Sequence, residues 1–363
     1  MKIAFYGSSL VSAYWNGAAT YYRGIIRALA ERGYDITFYE PDVYDRQANR
    51  DMDPPSWCKV VVYPGTIEGL RGAARQANAA DIVVKASGVG FQDDLLLDEL
   101  MKQARDDALV LFWDVDAPAT LAELQDAAEH PLRKCLPDLD LVLTYGGGDA
   151  VVEAYRGLGA RDCIPIYNGL DPQSHHPVAR DARFEAELSF LGNRLPDREA
   201  RVKEFFFGAA LARPKQAFLI GGSGWDGVEM PANVSYIGHV PTRDHNAFNT
   251  SPKAVLNISR ESMARNGFSP ATRVFEAAGS GACLITDAWE GIELFLKPGD
   301  EVLVARDGQD VADILSGLTP ERAAAIGNQA LERVLAEHTY ASRAELVDTI
   351  FRADKQKNTE AAE

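Results

Sequence analysis

In Asn257-Ile-Ser-Arg260, Asn266-Gly-Phe-Ser-Pro270 and Arg273-Val-Phe-Glu276-Ala-Ala-Gly-Ser-Gly281, an arginine and a glutamate stand three positions apart in a helix-like stretch. Residues three apart share a helix face. Arg273 can therefore meet a phosphate while Glu276 accepts hydrogen bonds from two ribose hydroxyls, the pair of contacts a nucleotide-sugar requires. Ser269 suits a helix cap and Pro270 a first turn, which predicts a helix over Pro270–Gly279. The free N–H groups and positive dipole end of such a helix favour a diphosphate. A surface Arg–Glu pair worth about 0.3–0.5 kcal/mol would have the same spacing and no function.

Further cations stand nearby. Arg194 ends Ser189-Phe-Leu-Gly-Asn-Arg194, and Arg198 and Arg201 follow on a predicted helix. Their forks suit a diphosphate, although three arginines near a helix start also describe a solvated face. The loop Asn266, Gly267, Phe268 and Ser269 is placed to approach a sugar. Trp289-Glu-Gly-Ile-Glu293 offers an aromatic face and two carboxylates, Glu290 and Glu293, to line a sugar pocket, and the lone His239 reads as structural.

Phe112-Trp113-Asp114-Val115-Asp116-Ala117-Pro118 sets two carboxylates directly after a strand, at the end where open α/β sheets build their sites. Asp114 or Asp116 could orient or deprotonate an acceptor hydroxyl. Two carboxylates without further oxygen or histidine ligands make a poor metal site, and Asp116 could simply cap the helix near Pro118. The loop from Gly7 to Thr20 offers Asn16, Gly17 and Thr20 to a ligand, or else forms a turn with Thr20 as helix cap. It is not G-x-G-x-x-G, which argues against a dinucleotide cofactor. Trp113, Gly146 and Gly147 complete the acceptor-side candidates. The glycines of Tyr145-Gly146-Gly147-Gly148 let the backbone approach a ligand or serve only a strand-to-helix turn.

These residues sit in alternating strands and helices. Lys2–Tyr6, Ile36–Tyr39, Val60–Tyr63, Ile82–Lys85, Leu109–Trp113 and Leu141–Thr144 read as strands of a first half. Leu188–Leu191, Phe218–Ile220, Ser235–Ile237, Ala254–Ile258, Cys283–Thr286 and Val302–Ala305 read as strands of a second. Such alternation predicts an α/β fold of two doubly wound, Rossmann-like sheets. The turn formers of Ile164-Pro-Ile-Tyr-Asn-Gly-Leu-Asp-Pro172 and His175-His176-Pro177 mark the boundary between them. The expected domains are 1–168 and 169–338, then a helix over 339–352 and a flexible polar tail over 353–363.

The 363 residues carry 37 Lys and Arg against 53 Asp and Glu, a formal charge of −16 that disfavours nucleic acid or an anionic membrane as partner. Four scattered cysteines without a C-x-x-C pair argue against zinc or disulfides and fit a reducing cytoplasm. No apolar run has membrane-spanning length, and no signal-peptide pattern precedes the strand at Ile3.

At the residues above, the sequence resembles the spore-maturation CgeB-like group of GT-B glycosyltransferases, relatives of the retaining group 1 class with its paired-glutamate donor motif. The resemblance runs over Tyr14–Gly24, Trp113–Pro118, Asn168–Pro172, Leu256–Ile258, Ser269–Gly281, Trp289–Glu293, Pro298–Glu301 and His338–Arg343. It implies facing acceptor and donor domains, a cleft between them, a final helix crossing back onto the first, and transfer without a metal or cofactor. It gives Glu276 the ribose, and Arg194 and Arg198 the basic pair that neutralises the leaving diphosphate, with Arg273 beside them. The first glutamate of the pair is missing, because Phe268 stands eight positions before Glu276, and Glu293 is a candidate substitute. The expected reaction is transfer of a hexosyl group from a UDP-sugar to a hydroxyl of a glycan or small acceptor, with retention. A nucleotide-sugar epimerase or hydrolase, or a silent sugar-binding protein, would share this architecture.

Overall fold

The first strands are near-continuous apolar runs, the pattern of a parallel sheet buried on both faces. In a computed structural model, which describes every residue except Trp15, Gly17 and Glu363 and all other side chains except Asp126 and residues 357–362, these runs form the centre of each of two units. The first unit comprises Met1–Tyr167 with Tyr340–Glu363, and the second comprises Asn168–Thr339.

The first unit holds β1 (Lys2–Tyr6), β2 (Asp35–Asp42), β3 (Lys59–Pro64), β4 (Ile82–Ala86), β5 (Leu109–Asp114), β6 (Leu141–Thr144) and β7 (Cys163–Pro165). All pair in parallel, in the order β3-β2-β1-β4-β5-β6-β7. Successive side chains of a strand face opposite ways. Ile3 and Phe5 accordingly enter the core shared with helix Ala19–Glu31 and the last helix, while Ala4 and Tyr6 enter the core on the other face.

The second unit holds β8 (Leu188–Leu191), β9 (Phe218–Gly221), β10 (Val234–Tyr236), β11 (Ala254–Asn257), β12 (Leu284–Asp287) and β13 (Leu303–Ala305). They run parallel in the order β10-β9-β8-β11-β12-β13. In both sheets the chain winds outward from the first strand in one direction and then in the other, the Rossmann order. This leaves switch points between β1 and β4 and between β8 and β11.

The last helix, Tyr340–Ala362, packs on the first unit through Tyr340, Ala344, Val347 and Phe351, a helical stripe in the same core as Ile25 and Ile26. Gly24 makes room for it: a Cβ there would stand 2.3 Å from the Tyr340 ring. Over the stretch expected as a polar tail, 353–363, the helix continues to Ala362, and the Lys355 ammonium donates to the Asp107 carbonyl. Among the described residues no helix is long and apolar enough to cross a membrane, and the four cysteines are free thiols.

Candidate functional site

Ligands of doubly wound sheets bind at the strand carboxyl ends beside the switch point. In the second unit that point lies between β8 and β11, and the turn after β8 is built tightly. A Cβ on Gly222 (φ +119°) would meet the Gly192 carbonyl at 2.3 Å, and one on Gly192 would meet Arg198 Nη2 at 2.8 Å. The Arg198 guanidinium lies over the Phe190 ring, 5.6 Å from its centroid, and donates from Nη2 to the Asn193 carbonyl at 2.6 Å. Its Nε has no partner. Burial pushes its pKa down, Arg273 and Arg260 push it further, and Asp197 opposes them. Arg260, from the loop after β11, donates to Asp197 at 2.6 Å.

Glu276 projects from helix Thr272–Gly279 with its side chain 15 % exposed, and Arg273 Nη1 lies 3.2 Å from Oε2. Arg273 Nε is buried without a hydrogen-bond partner. Burial alone would raise the Glu276 pKa, but Arg273, then His175 and His245, hold it below the ordinary value, so the carboxylate is ionised. A buried anion beside an incompletely satisfied arginine, with Arg198 coupled to that arginine, can exchange its internal contacts for those of a ligand. Gly279 allows the helix to sit this close to the start of the unit, since a Cβ there would stand 2.3 Å from Leu170 Cδ1. Asp287, fully buried at the end of β12, fixes the loop after β11 by accepting from Ser259 N and Oγ at 3.0 and 3.2 Å and from Arg201 at 2.6 Å. Arg201 is thereby structural.

Several donor-side expectations change. The helix begins at Thr272 behind Ala271, and no side chain caps it, so Ser269 is not its cap and Pro270 is not in its first turn. Pro270 instead belongs to the loop before the helix, where Asn168 donates to its carbonyl at 3.1 Å. Phe268 takes a left-handed φ of +45°, its N–H bonded to the Glu290 carbonyl at 2.6 Å. Gly267 (φ +67°) and Gly291 (φ +92°) seat this loop, with Glu290 and the Phe268 ring filling the space a Cβ would need. A non-glycine residue held in this region is strained, a feature that clusters at binding sites. Asn266 is exposed and donates to Ser262 O, Glu293 is exposed on a short turn, and His239 is exposed. Trp289 is buried against Phe295 and donates to Thr286 Oγ1. Arg194 turns to Glu199 at 2.6 Å, and with Lys203 it holds that carboxyl down at about 2. The cation that joins Arg198 is therefore Arg260, which sits among the sequence motifs without a role assigned to it.

On the first unit, Asp114 is fully buried and accepts from Ser87 Oγ (2.7 Å), Asp116 N (3.0 Å), Thr120 Oγ1 (3.0 Å) and Tyr155 OH (2.5 Å). Four donors fill it, burial raises its pKa, and no acceptor hydroxyl reaches it. The assignment of Asp114 as a catalytic carboxylate is corrected on that ground. Asp116 stands at the start of helix Ala117–Asp126 without a side-chain capping bond and lines a cavity of about 420 Å³ with Lys85, Asp93, Thr120 and Glu123. Trp113 is core, fully buried and bonded to the Tyr21 hydroxyl at 2.9 Å. Asn16 braces its own loop through Ser8, Ser9 and Ser12. Thr20 is exposed one residue inside a helix that Ala18 precedes, so it caps nothing. Gly146 and Gly147 are buried, and a Cβ on Gly147 (φ +100°) would stand 2.0 Å from Val151, so they make the turn into helix Gly148–Gly157. Gly17 lies outside the described residues.

Residues 198–348 match the family described as glycosyl transferase-like. No curated protein sequence is significantly similar. Among solved structures, sucrose-phosphate synthase from Thermosynechococcus elongatus aligns with a TM-score of 0.70 at 17% identity, over 97% of this chain and 98% of that one. HepE of Anabaena, in complex with UDP and glucose, aligns with a TM-score of 0.66 at 14% identity, over 97% and 100%. An alpha-glucosyltransferase in complex with UDP-glucose and DNA containing an abasic site aligns with a TM-score of 0.71 at 11% identity, over 97% and 99%. With two parallel sheets in Rossmann order, these likenesses make the fold GT-B, two Rossmann-like α/β units with a glycosyl transferase-like stretch over residues 198–348.

Proposed function

We propose that the protein is a glycosyltransferase that moves a hexosyl group from a UDP-sugar to a hydroxyl of a glycan or small-molecule acceptor, with retention and without a metal in the transfer step. The observation that carries the reading is Glu276, a largely buried carboxylate held ionised beside Arg273 on helix Thr272–Gly279, between β11 and β12 of a Rossmann sheet. Structural neighbours solved with UDP and glucose or with UDP-glucose support the choice of donor.

In this reading Glu276 accepts the two ribose hydroxyls. Arg198, Arg260 and Arg273 take the diphosphate, where fixed charge acts most strongly as the leaving group becomes more anionic. The Gly267–Ser269 loop approaches the sugar. Asp116, at the cavity of the first unit, orients or deprotonates the acceptor hydroxyl. Retention rests on the resemblance of Ser269–Gly281 to the retaining class, and the anomeric configuration of the product tests it.

Titration with UDP and UDP-glucose, followed by a transfer assay on an acceptor panel, tests the function. Glu276→Gln keeps the shape and loses the charge, and a hydrogen bond to a charged group contributes about 1.5–3 kcal/mol. UDP affinity should fall roughly 10–150-fold while circular dichroism is unchanged. Unaltered turnover of a confirmed donor in this variant would remove the ribose assignment. Sugar released to water, or an isomerised nucleotide-sugar, would replace transfer with hydrolysis or epimerisation.

A further inference from the structure

Two histidines that no donor motif contains converge on Glu276. His175 comes from the turn after Asn168-Gly-Leu-Asp-Pro172, His245 opens helix His245–Thr250, and Glu276 lies on helix Thr272–Gly279. One ligand atom from each lies within 4.8 Å of the other two. The His175 side chain is 8% exposed, its Nε2 has no hydrogen-bond partner, and that nitrogen stands 4.0 Å from Glu276 Oε1. This is too long for a hydrogen bond. His245 Nε2 lies 3.1 Å from the Val240 carbonyl. A carbonyl only accepts, so Nε2 carries the proton and the lone pair of the neutral ring is on Nδ1.

We infer that His175 Nε2, His245 Nδ1 and Glu276 Oε1 form a binding site for one divalent transition-metal ion of the zinc class. Two imidazoles and a carboxylate are the ligand set of such borderline ions, whereas magnesium and calcium require oxygen. Bonds of about 2.0–2.2 Å in tetrahedral geometry place two ligand atoms about 3.4 Å apart across one ion. The His175–Glu276 separation of 4.0 Å and the widest one, within 4.8 Å, close to that spacing by side-chain rotation. The supporting contacts are of the kind that metal ligands use, a backbone carbonyl on the second nitrogen of His245 and Arg273 on the far oxygen of Glu276. Arg273 also repels a dication, which sets the affinity below that of a structural zinc site. An ion on Oε1 takes the carboxylate from the ribose, so occupancy antagonises the nucleotide. That consequence rests on the ribose role proposed above, and the metal site itself does not.

The test uses the full chain, stripped with a chelator and titrated with zinc and, separately, with cobalt(II) and magnesium. Stoichiometry is measured by elemental analysis and calorimetry. One zinc per chain, a visible cobalt absorption band, no magnesium heat, and at least roughly tenfold weaker zinc binding in both His175→Gln and His245→Gln are expected. Making the variants separately, each checked by circular dichroism, keeps a folding defect in one from deciding the result. No stoichiometric zinc, or equal binding by wild type and the folded variants, overturns the site. UDP should bind more weakly to the zinc-loaded protein. Undiminished UDP affinity with zinc bound overturns the ribose role of Glu276 and leaves the metal site standing, whereas UDP binding without any zinc binding does the reverse.

Discussion

Asp114 and Asp116 show how two carboxylates one residue apart divide their roles. Asp114 faces inward and gathers three hydroxyls and a backbone N–H, so it ties together the ends of β4 and β5 and helix Gly148–Gly157. Its neighbour reaches the cavity instead. Removing Asp114 strands buried donors, each of which costs about 1–3 kcal/mol when left unpaired. Asp114→Ala should therefore lower the unfolding free energy by about 2–4 kcal/mol, measured by urea denaturation. Asp116→Asn should leave stability within about 0.5 kcal/mol and reduce transfer. A folded, fully stable Asp114→Ala protein would show that the hydroxyl network is dispensable.

At the scale of elements, the last helix is the informative one, since it is remote in sequence from the unit it joins. The Tyr340 ring occupies the space that Gly24 leaves free. Gly24→Ala should cost about 1–3 kcal/mol by overpacking, and Tyr340→Leu in the same chain should return part of that cost, since contacting sites couple. Additive losses would mean that the two positions do not meet. Asp348 anchors the same helix, accepting from Tyr34 OH at 2.7 Å and Arg352 Nε at 2.8 Å, with Arg32 at 3.6 Å. Burial raises its pKa, but Tyr34, Arg352 and Arg32 outweigh this and hold it below the ordinary value. A depressed carboxyl stabilises above its unfolded pKa, about 3.9 for Asp, and that contribution is lost as pH falls through the native value. Asp348→Asn should thus lower Tm at neutral pH and flatten the acid limb of the stability curve below about pH 4. An unchanged acid limb would assign the acid sensitivity to other carboxylates.

For the whole molecule, charge limits the acceptor. At −16, the chain repels a polyanion unless a local basic surface compensates, and the arginines around Glu276 are committed by the proposed function to a diphosphate. Although one structural neighbour was solved with DNA, this protein should show no retention on double-stranded DNA at physiological salt. Retention that weakens steeply with added salt would reveal phosphate contacts and reopen nucleic acid as an acceptor.

What was legible in the sequence is what depends on short-range pattern. Runs such as Leu109–Trp113 and Ala254–Ile258 alternate with amphipathic helices at a spacing that only parallel, helix-covered sheets satisfy. The shared face of Arg273 and Glu276 likewise follows from helical periodicity alone. Periodicity does not say which of several nearby polar groups turns inward. Arg194 and Arg198 read alike, yet Glu199 draws the first to the surface while the Phe190 ring and the glycine turn after β8 hold the second inside. Trp113 near the end of one strand and Trp289 just after another stand where binding aromatics would, and long-range packing buries both. His175 and His245 carry no local signal, because their meeting at Glu276 depends on how distant segments close around helix Thr272–Gly279. Local periodicity thus determined the two sheets and the Arg273–Glu276 face. Tertiary structure alone decided which charges are buried, which carboxylate is filled and which histidines reach Glu276, because burial and electrostatics are summed over neighbours that the sequence keeps far apart.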